Sequence, residues 1–358
     1  MPIRKVDIEE FLGLSLSYTI FDVRAPIEYS KGHIPGALNL AIFDDAQRSR
    51  IGTAYKKEGR RRAVDIGISY FSGRMNGILM EMESLMGRRV DTVDTILLHC
   101  WRGGMRSEAV AWVLSLYGIN VVLLEGGYKS FRRWVINRYS LDYDITILGG
   151  YTGSGKTQIL NSCKNRTEIK IIDLEGIASH KGSAFGGIGQ EQQPSQEMFE
   201  NLLSFDFWRN ERDLGDRNGK PKYILEDESQ RIGKVLIPNA FWYTMRMKKV
   251  IFIDIPFESR LEYIVAHYGQ FDRSELIASI SRLHKRLGGL ETKQCIGLML
   301  ENDLKGAFRI LLNYYDKYYE KSLFKRDNPD ESVIRIRFQE FNQDKIVQTL
   351  LVKINEMT

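Results

Sequence analysis

The sequence has few cysteines, no long apolar run and no low-complexity segment. Three cysteines in 358 residues cannot form a disulfide framework, so we expect a reducing, cytoplasmic environment. No stretch approaches about 18 uninterrupted apolar residues, which excludes a membrane-spanning helix. The first residues, MPIRKVDIEEFLG, carry charges where a secretory signal needs an apolar segment. These absences predict a cytoplasmic protein with no membrane partner.

The composition is that of a globular protein. Hydrophobic residues make up 43% of the chain and charged residues 27%, which excludes a disordered chain, a collagen and a coiled-coil rod. At ~100–200 residues per domain, the length predicts two or three domains. The net charge of +5 lies wholly in residues 1–140, which hold 20 Lys and Arg against 15 Asp and Glu. Seven of these basic residues fall within 48–62, either as a solvated helix face or as a surface for nucleic-acid phosphates.

Alternating strand and helix patterns predict an α/β fold. Continuous apolar runs, which suit strands buried on both faces of a parallel sheet, occur at 19–23, 95–99, 120–126, 144–150, 168–174, 222–227, 249–255 and 332–338. Amphipathic helical patterns lie between several of them, at 105–117, 156–164, 194–212, 258–267, 273–287 and 302–321. Residues 137–144 separate two groups of strands, each with its own motif. We therefore predict two domains, at 1–138 and 143–358.

A cysteine lies where a predicted strand ends. Cys100 follows the run 95–99, and the segment WRGGMRS then leads into a helical pattern. Backbone N–H groups of such a loop, together with the helix dipole, stabilise an anion and lower the pKa of a thiol. The candidate anion-binding residues of the loop are Arg102, Gly103, Gly104 and Arg106. We predict a reactive Cys100, whereas Cys163 and Cys295 lack such surroundings and are expected to be structural.

Residues 150–157 read GYTGSGKT, a complete match to G-x-x-x-x-G-K-[ST]. The match follows a predicted strand and opens a predicted helix, which is the context in which this motif binds phosphates. Its backbone N–H groups should hold a diphosphate, Lys156 should contact phosphate oxygens, and Thr157 should hold Mg²⁺. The candidate diphosphate-binding residues are Gly150, Thr152, Gly153, Ser154, Gly155, Lys156 and Thr157. No adenine-reading signature accompanies them, so the ligand need not be ATP.

Acidic residues follow two other predicted strands of the second half, at 173–175 and 226–228. The carboxyl ends of parallel strands face the ligand crevice, so a metal, base or substrate role is reasonable. Helix capping and solvated turns are the alternatives. The candidate residues are Asp173, Glu175, Lys181, Ser183, Glu226, Asp227, Glu228 and Arg231. Aromatic clusters at 241–243 and 313–319 belong either to the core or to an apolar wall for a lipid-like or nucleobase ligand.

Three segments of the first half resemble the signatures of the rhodanese domain over about residues 1–137. They are FDVRAPIEYSKGHIPGALNL, LLHCWRGGMRS and VVLLEGGYKSF, in this order. Residues that match the first signature are Asp22, Arg24, Glu28, His33, Pro35, Gly36 and Ala37. The resemblance implies that Cys100 carries a chalcogen atom as a persulfide or a related adduct. The loop from Cys100 to Arg106 spans seven residues rather than six, as in phosphatase-like relatives, and this suits a tetrahedral oxyanion.

Further segments, GTAYKKEGRRRAVDIG, DLEGIASHKGSAFG and EDESQRIG, make the chain resemble the tRNA 2-selenouridine synthase family from about residue 10 to at least 290. The resemblance implies a rhodanese-like parallel-sheet domain, then a P-loop NTPase-like α/β domain with a helical C-terminal part. It implies that selenium from selenophosphate replaces the 2-thio sulfur of wobble 2-thiouridine in tRNA. The reaction would pass through an S-geranylated intermediate made from geranyl diphosphate.

Residue roles follow from the same resemblance. Cys100 and its loop would act on selenophosphate, and the P-loop with Mg²⁺ would bind the diphosphate of the prenyl donor. The enzyme that produces selenophosphate is an expected partner. The candidate tRNA-backbone contacts are Lys56, Lys57, Arg60, Arg61, Arg62, Arg132 and Arg133.

Other functions stay open. A tRNA sulfurtransferase with an ATP-using, kinase-like P-loop domain is the main alternative, and ATP turnover would distinguish it. A non-enzymatic tRNA-binding protein is disfavoured by the complete cysteine loop and P-loop. A cysteine phosphatase is favoured only by the loop length and leaves the second domain unexplained.

Overall fold

The computed structural model describes residues 3–90, 94–164, 169–213, 221–326 and 328–357. Two compact units form the chain. The first comprises Met1–Arg138 and Glu200–Phe205, and the second comprises Tyr139–Phe199 and Asp206–Thr358.

One short segment differs from the predicted division at 143–358. Glu200–Phe205 lie inside that predicted domain but group with the first unit. Hydrogen bonds explain the grouping, since the Asn201 amide donates to the His33 carbonyl at 2.9 Å. The Ser204 hydroxyl donates to the Val135 carbonyl at 3.1 Å.

A parallel five-stranded sheet lies at the centre of the first unit. Its strands are β1 (Arg4–Val6), β2 (Ile20–Asp22), β3 (Leu38–Asn39), β4 (Thr95–His99) and β5 (Asn120–Leu124). They follow the order β1-β5-β4-β2-β3, and each neighbouring pair is parallel. The inner strands β4 and β5 each bury four of their five residues, which is why their sequences are continuously apolar.

Helices flank this sheet. They are α1 (Ile8–Leu14), α2 (Pro26–Lys31), α3 (Asp45–Lys57), α4 (Arg60–Arg74), α5 (Ile78–Met86), α6 (Met105–Leu116) and α7 (Gly127–Arg138). Asp7 caps α1, and Asp44 with Gln47 forms a capping box at the start of α3. Leu98 of β4 and Leu114 of α6 are buried in one apolar cluster, which joins that helix to the sheet.

The second unit has a parallel sheet of its own. Its strands are β6 (Asp144–Gly150), β7 (Lys170–Ile172), β8 (Lys222–Glu226), β9 (Arg231–Ile232), β10 (Val235–Leu236), β11 (Val250–Asp254) and β12 (Val333–Arg337). Five of them form the parallel sheet in the order β12-β11-β6-β8-β7, and β9 pairs with β10 in an antiparallel hairpin. The strand that leads into the P-loop, β6, therefore lies in the middle of the sheet.

Helices of the second unit contribute to two separate apolar clusters. They are α8 (Lys156–Cys163), α9 (Leu174–Ala178), α10 (Gln196–Arg212, which also supplies Glu200–Phe205 to the first unit), α11 (Asn239–Met247), α12 (Phe257–Tyr268), α13 (Arg273–Arg282), α14 (His284–Leu287), α15 (Gly289–Leu300), α16 (Leu304–Leu323), α17 (Pro329–Ser332) and α18 (Gln343–Glu356). Leu350 of α18 is buried in one cluster with Ile159 of α8. Leu311 of α16, Cys295 of α15 and Leu276 of α13 belong to a separate helical core.

Both sheets confirm the predicted α/β class. Each of the eight predicted strands is present, although Glu168 of the run 168–174 lies outside the described residues. The helix predicted at 273–287 is two helices, α13 and α14. The strands that the patterns did not predict have two or three residues, too few to show a periodicity. Every helix in the described ranges is either too short or too polar to cross a membrane.

A buried ion pair accounts for part of the first rhodanese signature. Arg24 Nε donates to the two Asp22 oxygens at 3.0 and 2.9 Å, and both side chains are fully buried. Arg24 Nη2 also donates to the Gly32 carbonyl at 2.7 Å, and its guanidinium lies 3.7 Å from the ring centroid of Tyr128. This pair joins the end of β2 to the loop after α2.

Replacing Arg24 with Met should destabilise the first unit by about 3–5 kcal/mol, because Asp22 would keep a buried, unpaired charge. The same replacement at Arg4, whose pair with Glu10 is exposed, should cost less than about 1 kcal/mol. Urea unfolding of the full chain, together with hydrogen exchange in β2 and β4, measures the loss of stability in each variant. Equal losses of stability in the two variants would contradict the structural role of the buried pair.

Candidate functional site

The cysteine loop lies at the carboxyl end of the first sheet. Cys100 follows β4 directly, and α6 begins at Met105. Gly103 has a φ of +64°, and a Cβ there would lie 2.5 Å from the Leu124 carbonyl oxygen. A Cβ on Gly127 would lie 2.4 Å from the Cys100 carbonyl oxygen. Glycine is therefore required at both positions, which explains why the second and third signatures each contain a Gly-Gly pair.

The first turn of α7 holds the cysteine loop through its backbone. The Tyr128 N–H donates to the Cys100 carbonyl at 2.8 Å, and the Lys129 N–H donates to the Trp101 carbonyl at 3.0 Å. N–H groups in the first turn of a helix have no partner inside that helix, so they are available for this contact. The third signature thus supports the cysteine loop.

The surroundings of the Cys100 thiol favour its ionised form. Cys100 is 3% exposed, and the Ser107 hydroxyl donates to its sulfur at 3.3 Å. Burial raises the pKa of the thiol, but the Ser107 hydrogen bond and the charge of Arg106 outweigh burial and lower the pKa below its ordinary value. The thiolate is the nucleophilic form of cysteine. Sequence reasoning did not single out Ser107, although it ends the quoted segment WRGGMRS.

Arg106 is held beside this loop by Glu28. Arg106 Nη1 lies 2.8 Å from one Glu28 oxygen, and Arg48 Nη2 lies 3.4 Å from the other. Burial raises the pKa of Glu28, but the opposing effect of the two arginines is larger. The pKa is therefore lowered, and the carboxylate stays ionised. Arg102, in contrast, is exposed. The sequence marked Glu28 only as part of a signature, because its partners are far away in the chain.

The P-loop connects β6 to α8. Gly153 and Gly155 have φ values of +82° and +72°, and a Cβ on Gly155 would lie 2.5 Å from a ring carbon of Phe341. Lys156 begins α8, and its ammonium donates to the Gly150 carbonyl at 3.1 Å. Successive N–H groups at such a helix start point toward one spot and bind phosphate oxygens.

Arg260 supports the P-loop from α12. It is 3% exposed, and its Nη1 donates to the Thr152 carbonyl at 3.1 Å. The same guanidinium forms a two-point ion pair with Asp316 of α16, at 2.9 and 2.7 Å. One turn later on that helix, the ring centroid of Tyr319 lies 5.5 Å from the Lys156 ammonium. The sequence indicated the contact of Tyr319 with Lys156 only through the aromatic cluster 313–319, and no sequence motif includes Arg260.

Three carboxylates meet beside the P-loop. Glu175, Glu226 and Glu228 each offer an oxygen within 4.8 Å of the others. The Thr157 hydroxyl donates to Glu175 at 3.3 Å. Glu226 is 1% exposed, and its Oε1 has no hydrogen-bond partner among the described residues. Carboxylate and hydroxyl oxygens suit Mg²⁺, and a cation would give the buried oxygen a partner, so these residues fit a divalent ion.

The charges of this cluster are strongly coupled. Burial and the neighbouring Glu226 raise the pKa of Glu175 to about 8, and burial is also the main reason why the pKa values of Glu226 and Glu228 are raised. Burial lowers the pKa of Lys156, but Tyr319 and the glutamates outweigh it, so the pKa is raised and the ammonium stays charged. Without a cation, the cluster therefore retains protons near neutral pH.

Two predicted acids of this half serve the fold in other ways. Asp173 accepts a hydrogen bond from the Gly176 N–H at 2.8 Å and caps α9. Asp227 forms an ion pair with the buried Arg326 at 2.6 Å. Both follow the structural alternative, and neither belongs to the carboxylate cluster.

The remaining polar candidates of the second unit do not belong to the carboxylate cluster. The Lys181 ammonium donates to Nε2 of His267 at 2.7 Å. Ser183 Oγ accepts from the Phe185 N–H at 3.2 Å, and Arg231 is exposed on β9. His267 carries no motif, and sequence reasoning did not single it out.

Most of the basic candidates in the first unit are exposed. Exposed residues around the turn from α3 to α4 are Lys56, Lys57, Arg60, Arg61 and Arg62. Arg133 of α7 is exposed as well. Arg132 differs, because it pairs with Glu200 and donates to Asn201 at 2.6 Å, so its guanidinium is already occupied. We therefore remove Arg132 from the set of phosphate contacts.

Family comparisons match both halves of the chain. Residues 143–343 match the model of the tRNA 2-selenouridine synthase AAA domain, and residues 8–133 match the rhodanese-like domain. The chain belongs to the tRNA 2-selenouridine synthase family. The first match contains the P-loop and the carboxylate cluster, and the second contains the cysteine loop.

Individual relatives cover most of the chain. A tRNA 2-selenouridine synthase of Pseudomonas fluorescens (strain Pf0-1) is 32% identical over 348 residues, covering 88% of this chain and 91% of the relative. One from Shewanella piezotolerans (strain WP3 / JCM 13877) is 35% identical over 310 residues and covers 81% of each chain. A solved rhodanese-related protein from Thermoplasma volcanium is 20% identical, covers 37% of this chain and 92% of its own, and has a TM-score of 0.23.

Replacing Ser107 with Ala should raise the pKa of Cys100 by roughly 1 unit, because a hydrogen bond to the thiolate is lost. Thiolate absorbance during a pH titration measures this shift, and burial keeps the pKa of Cys295 at about 11, outside the relevant range. Ser115→Ala, on the same helix, removes a hydroxyl that bonds the Trp112 carbonyl and should change nothing. An unshifted titration in Ser107→Ala would contradict the assignment.

Replacing Glu226 with Gln should weaken Mn²⁺ binding roughly tenfold or more, because the cluster loses one charged ligand. Without the ion, the variant should be as stable as the unmodified chain, since a buried carboxyl becomes a neutral amide. Calorimetric titration with Mn²⁺ measures the first effect and thermal unfolding the second. Glu301→Gln, at an exposed site of the same unit, is the matched control. Unchanged Mn²⁺ affinity in Glu226→Gln would rule out a cation site here.

Proposed function

We propose that this chain is a tRNA 2-selenouridine synthase, which replaces the 2-thio sulfur of wobble 2-thiouridine with selenium from selenophosphate. The base would first be S-geranylated, with geranyl diphosphate as the donor. One observation carries the proposal: the same chain has a thiol with a lowered pKa in a glycine-containing loop before a helix, and a separate P-loop beside a carboxylate cluster. A reaction with one diphosphate substrate and one selenophosphate substrate needs both.

The P-loop would bind the prenyl donor. Its backbone N–H groups and Lys156 hold the diphosphate, while the thiocarbonyl sulfur bonds to the geranyl carbon as the carbon–oxygen bond to diphosphate breaks. Thr157, Glu175, Glu226 and Glu228 would hold Mg²⁺, which when bound neutralises charge on the leaving diphosphate. Prenylation turns a poor leaving group at C2 of the base into a geranylthiol that leaves readily.

The cysteine loop would act in the second step. Its N–H groups and Arg106 hold the phosphate end of selenophosphate, and Glu28 keeps Arg106 in place. Cys100 would position the selenium of selenophosphate for attack at C2: the carbon–selenium bond forms as the geranylthiol takes up a proton and leaves, and water then cleaves the selenium–phosphorus bond to release phosphate. The lowered pKa of Cys100 supports this role, because the thiolate is present at a lower pH than in an ordinary cysteine.

The turn from α3 to α4 would hold the tRNA backbone. Arg60, Arg61 and Arg62 form the first turn of α4, which has no acidic residue. Arg62 pairs with the exposed Glu58 at 3.5 Å, whereas Arg60 and Arg61 oppose the helix dipole, so the placement of these two costs stability unless an anion covers them. Phosphates of tRNA would supply that anion, and binding should weaken as salt rises. The cytoplasmic location and the selenophosphate-producing partner belong to the same proposal.

Nucleoside mass spectrometry on tRNA that contains 2-thiouridine tests the proposal with two variants. With geranyl diphosphate, Mg²⁺ and selenophosphate, Cys100→Ser should accumulate the geranylated base and form no selenouridine. Thr157→Ala should form neither product, because the first step fails. Cys295→Ser, a buried cysteine of the second unit, should retain both steps.

Two results would contradict this division of labour. Equal loss of geranylation in Cys100→Ser and Thr157→Ala would mean that the cysteine loop is needed for the first step. ATP hydrolysis by the unmodified chain, with no change to the tRNA in either reaction, would favour the sulfurtransferase alternative instead.

A further inference from the structure

Lys181 is a partly buried cation that lacks an anionic partner. Its ammonium donates to Nε2 of His267 at 2.7 Å, and within the described ranges no carboxylate lies at ion-pair distance from it. Buried ammonium groups normally pair with a counter-ion, because an unpaired charge is costly to remove from water. Lys181 is therefore suited to contact an anion that binds next to it.

Two contacts place Lys181 at the rim of the P-loop site. The next residue, Gly182, has a φ of +59°, and a Cβ there would lie 2.5 Å from an oxygen of Glu228 in the carboxylate cluster. On the other side, the ring of His267 stacks on Tyr263 with centroids 5.9 Å apart. Tyr263 in turn lies against Phe341, with ring centroids 6.2 Å apart, and Phe341 contacts Gly155 of the P-loop. Lys181 thus lies next to the P-loop site, where the diphosphate end of a ligand would supply an anion.

His267 is a fixed and neutral acceptor. Its ring lies 3° from parallel with Tyr263, and the rings of Tyr268 and Phe271 meet its edge at centroid distances of 5.3 and 6.4 Å. Burial and the charge of Lys181 hold the pKa of His267 below its ordinary value, so Nε2 of the neutral ring can accept a hydrogen bond from the ammonium. No acidic residue competes for this contact in the part of the chain that the structure describes.

We propose that His267 is a positioning residue, which aims the Lys181 ammonium at the diphosphate end of the P-loop ligand as a second cation beside Lys156. Lysine has a flexible four-carbon stem and loses rotamer freedom when it binds a phosphate. A lysine whose ammonium is already held in place loses less rotamer freedom on binding, so the ligand binds more tightly. The inference deepens the proposed function and rests on it for the identity of the ligand.

Calorimetric titration of the full chain with inorganic diphosphate and Mg²⁺ tests the inference. Lys181→Met should weaken binding roughly tenfold, as expected for one lost charge-assisted contact. His267→Leu should weaken it about three- to tenfold, because the ammonium is no longer held. His267→Gln keeps a hydrogen-bond acceptor and should recover most of the affinity. Lys305→Met, at an exposed site on α16, is the matched control and should bind as the unmodified chain does.

The double variant separates positioning from a structural role. If His267 acts through Lys181, His267→Leu should cause less than about a twofold further loss in the Lys181→Met background. The inference would be overturned if the double variant lost diphosphate affinity by the product of the two single losses. It would also be overturned if His267→Gln remained folded but bound diphosphate as weakly as His267→Leu. The same holds if the unmodified chain does not bind diphosphate.

This assay is independent of tRNA modification. A chain that leaves 2-thiouridine unchanged but shows the coupled loss would overturn the proposed function and leave the Lys181–His267 inference standing. A chain that makes selenouridine but shows fully multiplied losses would overturn the inference alone.

Discussion

Positive φ angles at a few glycines are the constraint on which both candidate sites depend. At Gly103 and Gly127 the cysteine loop and the start of α7 approach so closely that a Cβ would lie within 2.5 Å of a carbonyl oxygen. At Gly153 and Gly155 the same conformation lets the P-loop turn from β6 into α8. An L side chain disfavours these angles, so each turn exists because glycine is there. Turns of this kind point successive N–H groups inward, where they can bind an anion.

The two sites use charge in different ways. In the first unit, cationic and hydroxyl groups favour an anion on the protein itself, since Arg106 and Ser107 stabilise the Cys100 thiolate. In the second unit, one ammonium lies among three carboxylates whose pKa values are raised. A divalent cation would displace protons from these groups, so its affinity should rise as the pH increases toward about 8, the value at Glu175. These opposite arrangements suit a nucleophile in one site and a leaving diphosphate in the other.

The sequence predicted those parts of the sites that are local in the chain. The cysteine loop and the P-loop could be identified because their glycines, charged residues and flanking strand and helix lie within a few positions. Contacts over long sequence separations could not be predicted. Arg260 reaches the Thr152 carbonyl across 108 positions, and Arg106 reaches Glu28 across 78. Arg132 was predicted as a tRNA contact for the same reason, because its partner Glu200 lies 68 positions away in the chain.

The fold shows the same limit. Long apolar strands such as β4 and β6 were predicted with their observed bounds, because burial on both faces leaves a continuous run. The edge strands β1 and β3 have three and two residues, and their pairing depends on neighbours elsewhere in the chain. Among the acids of the second unit, spacing could not separate Glu226 from Asp227. The structure does, because one side chain enters the carboxylate cluster and the other meets Arg326.

The central claim is that the cysteine loop acts on a base that the P-loop site has already prenylated. The most direct test gives Lys156→Met a tRNA carrying synthetic S-geranyl-2-thiouridine, with selenophosphate and no geranyl diphosphate. The account predicts that this variant forms selenouridine at a rate close to that of the unmodified chain, because the step that needs Lys156 is complete. Formation of selenouridine by the unmodified chain but not by Lys156→Met, from the same RNA, would contradict the account.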